Sequence, residues 1–223
     1  MPSDHARESF EQLATRPAVV TIDMHRGHLD PEVATLPLPA DASRELVARV
    51  VPLLAAYREL AVPVIHVITA YRDREEISSN PYWRFQAGRT DSARSQILEH
   101  NLIGMPGLEL MPGIADPADA TVATKKRYDC FVGTDLELVL RSGGHDALLL
   151  LGVNTNSCVI ATALAASVRD FAVFVVEEGV DSMLGPDLHR AAMDVIDASF
   201  GWSIAAATTL EVLRSAKTKG RAA

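Results

Sequence analysis

Three residues of this chain can do covalent or proton-transfer chemistry, and each stands at or just past the end of a short apolar run: Asp23, Lys125 and Cys158. Cys158 follows the unbroken run Ala147 to Leu151, a glycine, and the polar stretch Asn154-Thr155-Asn156-Ser157. An alanine-rich amphipathic segment begins beside it, so the thiol falls in the first turn of a helix. There unpaired backbone N–H groups and the positive end of the macrodipole favour a thiolate. That position suits a nucleophile. It equally suits a small buried apolar side chain, which is what most free cysteines are. A free thiol titrates near ~8.5, so a nucleophilic reading needs a base and a cation close by. Asp23 and Lys125 are residues of the right types.

The elements that must position them are read from hydrophobic pattern. Continuous apolar runs indicate strands covered on both faces of a parallel sheet. Such runs cover 17–24, 62–69, 120–124, 147–151 and 172–176, with 201–205 as an edge strand. Asp41-Ala42-Ser43 reads as a helix start and helical spacing covers 45–60, a stretch from Thr134 or Asp135 to Arg141 that Gly143-Gly144 stops, the segment after Cys158, 187–199, and the region of Leu210. Pro52 predicts a kink in the first of these unless that helix begins later. Residues 26–39 read as loop, and 70–119 as a long irregular stretch rich in arginine and aromatic residues, a length usually kept for function. Strand and helix alternate, which calls for a parallel sheet with helices on both faces and right-handed crossovers. Ligands of such sheets sit beyond the carboxyl ends of the strands. Asp23, Lys125 and Cys158 share that rim, which favours the nucleophilic reading of Cys158.

The 223 residues are 48% hydrophobic and 22% charged with a net charge of −8, a globular composition that disfavours nucleic acid or an anionic membrane as partner. Nothing in the sequence reads as a signal peptide or a membrane span, and two cysteines do not make a disulfide framework. The expectation is one domain over 1–223 in a reducing cytoplasm, with a polar, partly helical lead-in at 1–16 and a frayed basic tail at 215–223. A dinucleotide site is not expected, since no G-x-G-x-x-G follows the first strand.

Three stretches carry a resemblance. Val20-Thr21-Ile22-Asp23-Met24 is similar to the first strand and catalytic aspartate of the isochorismatase-like cysteine hydrolases. Lys125-Lys126-Arg127-Tyr128-Asp129-Cys130-Phe131-Val132-Gly133-Thr134-Asp135-Leu136 resembles their K-x-R-Y-S-A-F-x-G-T-x-L signature. Gly152-Val153-Asn154-Thr155-Asn156-Ser157-Cys158-Val159 resembles their G-x-x-T-x-x-C-V nucleophile turn. The likeness covers roughly 17–205. It implies an α/β three-layer sandwich on a six-stranded, mostly parallel sheet, assembled as a homo-oligomer, dimer or tetramer. It also implies Cys158 as nucleophile, Asp23 as general base, Lys125 as the third catalytic group, and a cis Val153–Asn154 peptide. The backbone amides of Asn154 and Cys158 are the natural oxyanion donors.

The expected activity is metal-independent hydrolysis of a C–N bond in a small amide or ureide, N-carbamoylsarcosine-like or biuret-like, through a thioester, with water as co-substrate and no cofactor. The alternatives are an enol-ether hydrolase of the isochorismatase type, against which Cys158 counts, and a non-catalytic binding or scaffold member. Nicotinamidases of this group hold a divalent metal through an Asp-x-His element and histidines. This chain is read as lacking that element and its histidines as scattered between solvated loop and core, so no metal is expected. Lys126 is read as a surface residue and Cys130 as a small buried one. The usual glutamine-asparagine after the aspartate is replaced by His25-Arg26-Gly27-His28. Candidates for the substrate pocket are Arg26, Tyr71, Arg72, Trp83, Arg84 and Phe131, with one or two arginines facing the site to hold a carboxylate.

Overall fold

The computed structural model describes residues 2–220. Its first half runs α1 (Pro2–Leu13), β1 (Pro17–Ile22), α2 (Arg26–Leu29), α3 (Ala40–Glu59), β2 (Val64–Thr69), α4 (Arg74–Ser78), α5 (Pro81–Gln86) and β3 (Ala120–Lys125). It continues with α6 (Leu136–Ser142), β4 (Ala147–Val153), α7 (Ile160–Ser167), β5 (Ala172–Asp181), α8 (Pro186–Ser199), β6 (Trp202–Ile204) and α9 (Ala206–Gly220). The strands form one sheet in the order β3-β2-β1-β4-β5-β6, and every pairing is parallel. The chain steps outward from β1 to β3 and then returns to lay β4 on the free side of β1. A crevice opens past the carboxyl ends at such a reversal.

Strands β1, β2 and β4 are buried along their whole length, which is why their sequences show no polar alternation. Alternate residues serve two cores. Ala18, Val20, Ile22, Leu148 and Leu150 face α6, α7 and α8, whereas Val19, Leu149 and Leu151 face α1, α3 and α9. Each fully buried Leu or Val contributes about 1.5–3 kcal/mol. The two inner strands approach closely where the site begins. Gly152 has φ +116°, and a Cβ on it would lie 2.0 Å from the backbone oxygen of Ile22, so only glycine fits.

Several expectations are corrected. The lead-in is not merely polar, since Ala6 and Phe10 of α1 are buried, Phe10 meeting Phe174 edge-on at 4.9 Å. Residues 26–29 form a helical turn instead of loop. Helix α3 starts at Ala40, next to the expected start at 41–43, and keeps Pro52 inside it, on its exposed side. Strand β5 runs on to Asp181 because an irregularity in its pairing lets Val180 pair with Gly152 beyond the polar Glu177-Glu178. The basic tail is helical through Gly220, and its last three residues, like Met1, lie outside the described residues. Among the described residues no helix is long and apolar enough to cross a membrane.

Candidate functional site

Neighbouring strands deliver the reactive groups to one rim. Asp23 follows β1, Thr69 and Lys125 end β2 and β3, and Cys158 sits in a wide π-helical turn, Thr155–Val159, between β4 and α7. Because these four strands are adjacent, residues far apart in sequence meet. Lys125 Nζ donates to Asp23 Oδ2 at 2.6 Å and lies 3.3 Å from Cys158 Sγ. Thr69 is a fourth member that the sequence reading did not single out, although its place at a strand end was legible. Its Oγ1 accepts from Lys125 Nζ at 2.5 Å and donates to Asp23 Oδ1 at 2.8 Å, while its backbone N–H donates to the same oxygen at 3.0 Å. Asp23 itself adopts φ 55°, a left-handed conformation that aspartate tolerates better than most residues. The Val153–Asn154 peptide is cis. The Asn154 carbonyl accepts from the N–H groups of Ser157 and Val159 at 3.0 and 3.2 Å.

Protonation follows from this burial. Asp23 is fully enclosed, which works to raise it, but the Lys125 ammonium and the His25 ring hold the carboxyl well below its usual range. Lys125, equally buried, is kept charged by Asp23 against the cost of desolvation. Burial pushes the Cys158 thiol up to about 11, with Lys125 only partly offsetting it and the Asp23 charge adding to the rise. A resting thiolate, which helix position alone would favour, is therefore not what the site holds. At neutral pH it holds a carboxylate, an ammonium and a protonated thiol.

Above these groups lies a narrow, partly enclosed cavity. Cys158, Lys125, Asp23 and Asn154 line its floor; Tyr71, Trp83, Arg94, Arg127, Tyr128 and Met183 line its walls. Of the six pocket candidates, Tyr71 and Trp83 are in place and four are not. Arg26 is on the outer side of α2, bound to Asp30 at 2.7 Å and Glu109 at 2.9 Å. Arg72 is exposed and paired with Glu76; Arg84 is exposed and donates to the Ser78 carbonyl. Phe131 is buried in the core beneath α6 and α7, against Phe171. The arginines that face the cavity are Arg94, whose Nε donates to Tyr128 Oη at 3.2 Å, and Arg127, stacked 5.1 Å over Trp83. Leu36, Tyr71, Ile77, Trp83 and Ile97 form a small core of their own that carries this wall.

Lys126 points away from the thiol but is not a free surface residue. Its Nζ donates to the Ala70 carbonyl and pairs with Glu76 at 3.1 Å. Cys130 is buried, and its backbone N–H donates to Thr162 Oγ1. His66 is a satisfied core histidine, between Thr21 Oγ1 at 2.6 Å and Asp119 Oδ2 at 2.8 Å. The loop histidines near the site are not solvated. His25, His28 and His100 are all buried and gather beside Asp23, with ring centroids 4.6–6.2 Å apart. Ligand atoms of Asp23, His25 and His28 lie within 4.8 Å of one another, a donor set able to hold a metal. Asp23-Met24-His25 is itself an Asp-x-His element, as is Asp187-Leu188-His189, so the reading that found none was wrong.

The whole arrangement can be set against known proteins. A solved cysteine hydrolase from Pseudomonas syringae pv. phaseolicola superposes with a TM-score of 0.75 at 24% identity, over 92% of this chain and 98% of that one. The N-carbamoylsarcosine amidase of Thermoplasma acidophilum gives 0.67 at 25% identity, over 86% and 97%. Ureidoacrylate amidohydrolase RutB of Methylobacterium radiotolerans is 33% identical over 87 residues, 39% of this chain and 33% of that protein. The chain spans about a third to just over half the length of the curated relatives it matches. The model of the isochorismatase domain matches residues 17–208, and the chain belongs to the isochorismatase family.

Proposed function

We propose that this protein hydrolyses a C–N bond in a small amide or ureide that carries a carboxylate, through a thioester on Cys158. The observation that supports it is the buried Lys125 ammonium, 2.6 Å from the Asp23 carboxylate and 3.3 Å from the Cys158 sulfur, at the floor of a small cavity. A neutral thiol beside a carboxylate is poised for proton transfer coupled to attack. As Sγ bonds to the carbonyl carbon, the thiol proton passes to Asp23, and Lys125 balances the charge that shifts between them. The carbonyl oxygen becomes an anion on the backbone amides of Asn154 and Cys158. Asp23 returns the proton to the nitrogen, the C–N bond breaks, and ammonia or an amine leaves the thioester. Water then attacks that carbonyl while Asp23 accepts its proton. The C–S bond breaks and the thiol is restored.

The substrate class rests on Arg94 and Arg127 at the wall and on the small cavity. Ureidoacrylate and N-carbamoylsarcosine, the compounds named in two of the relatives, both join a ureido group to a carboxylate. An ammonia-release screen over ureido acids, amido acids, biuret and nicotinamide tests the reading. Turnover is expected with a ureido or amido acid, and Cys158→Ala is expected to lower it by about 10³-fold or more. Acid-quenched protein should carry the acyl mass on Cys158. Activity retained without the sulfur would refute the mechanism.

A further inference from the structure

The Tyr128 hydroxyl takes no part in that scheme, although it lines the same cavity as Cys158, Lys125 and Asp23. Its place is fixed from two sides. The backbone carbonyl accepts from Thr162 Oγ1 of α7 at 3.4 Å, and the ring meets Trp83 at 5.4 Å, close to edge-on. The phenol oxygen is held by two groups from the 70–119 stretch, Trp83 Nε1 at 3.0 Å and Arg94 Nε at 3.2 Å. An indole N–H and a guanidinium N–H can only donate. The oxygen therefore accepts from both, and its single proton points at neither. Among the described residues no acceptor takes that proton. Tyr128 also borders an outer groove, but Ile160, Leu164 and Val195 make that side largely apolar. The cavity is the polar side.

The charged groups beside it are donors too. Arg127 stacks on Trp83 and directs its Nη atoms to the Lys126 carbonyl at 2.6 Å and to Ser79 Oγ at 2.8 Å. Arg94 has no carboxylate partner among the described residues, and both of its Nη groups are uncommitted. The Tyr128 proton and the Arg94 Nη groups thus stand side by side, coupled through the Nε–Oη bond. A carboxylate matches both, one oxygen for each. A primary carboxamide has a single oxygen and turns its NH₂ group toward a second donor. A site built this way rejects the mismatched analogue because one of its polar groups is left unpaired.

We propose that the Tyr128 hydroxyl is a specificity determinant. It donates to one oxygen of a substrate carboxylate whose other oxygen Arg94 binds, so the pair holds the acid end at the wall and leaves the amide end to Cys158. The assignment rests on the substrate class proposed above, so binding is read in Cys158→Ala protein, where no thioester forms. Succinamate and succinamide differ only in a carboxylate or a second carboxamide at the far end, and each is titrated by calorimetry. Succinamate is expected to bind tighter by about tenfold or more. Tyr128→Phe keeps the ring and removes the proton. Added to Cys158→Ala, it should weaken succinamate by about tenfold or more and leave succinamide within about threefold. Circular dichroism and the succinamide affinity together report whether the cavity is intact. Equal losses for both compounds would make Tyr128 a structural prop and overturn the assignment. So would an unchanged preference in Tyr128→Phe, no preference in its parent, or no saturable succinamate binding. Should the unmodified protein release ammonia from no ureido or amido acid while Tyr128→Phe still lowers the preference, the hydrolysis falls and the role of Tyr128 stands.

Discussion

At the scale of single residues, the site is governed by what burial does to three charges. Asp23 and Lys125 keep each other ionised, and between them they leave Cys158 protonated, its thiol at about 11. Only thiolate is alkylated, so the iodoacetamide rate at Cys158 should climb about tenfold per pH unit from 7 to 10 with no plateau near 8.5. The Asp23 charge contributes to that rise, so Asp23→Asn should move the alkylation profile to lower pH while turnover falls. Parallel losses of alkylation and turnover would instead mean that Asp23 only holds the fold. In the proposed reaction, Arg94, at the cavity wall, holds the substrate carboxylate. A charged hydrogen bond contributes about 1.5–3 kcal/mol, so Arg94→Gln should raise KM for carboxylate-bearing substrates about 10- to 100-fold and leave kcat and uncharged amides little changed. Asp23, Lys125 and Cys158 could be singled out from sequence because each closes an apolar run on the same rim. Thr69 was equally visible by position, but its hydroxyl has meaning only between two charges that other strands bring. The histidine cluster was not legible. His100 comes from a loop some 70 residues beyond His25 and His28, and nothing periodic links them.

At the scale of elements, strands were read well because parallel strands covered on both faces are written as continuous apolar runs. Helix α1 was underread because two residues one turn apart, Ala6 and Phe10, carry its burial while the rest of it is polar. Helix α3 runs on through Pro52 because a proline on the exposed side leaves a backbone carbonyl that solvent can satisfy. The stretch 70–119 resisted reading since aromatic contacts across it, not local propensity, fix its short helices. The close approach of β1 and β4 gives a sharp test. Gly152→Ala puts a methyl group into the Ile22 carbonyl at an unfavourable φ and should cost about 3 kcal/mol or more, read as a lower urea midpoint. Near-wild-type stability would mean that the two strands part easily.

At the scale of the whole molecule, stability should depend on pH through His66. This ring ties β2 to Asp119, and Asp119 in turn holds Arg58 of α3 at 2.6 Å. Burial lowers His66 below its ordinary 6.5, despite the opposing effect of Asp119. Below 6.5 the unfolded chain takes up a proton that the folded chain refuses, so the stability His66 contributes is present above 6.5 and declines as pH falls. Thermal unfolding between pH 7 and 5 should show a falling midpoint, with a shallower slope in His66→Gln. A flat profile would place no titrating burden on this ring.

The wall that holds Trp83, Arg94 and Ile97 rests on its own cluster of apolar side chains, apart from the two cores that brace the sheet. In the proposed reaction, selectivity would sit on this wall and bond cleavage on the strand ends, the two joined through Tyr128 and Met183. Grafting or randomising 70–119 should yield descendants that accept new molecules while retaining an intact engine, which makes this chain a practical starting point for directed evolution.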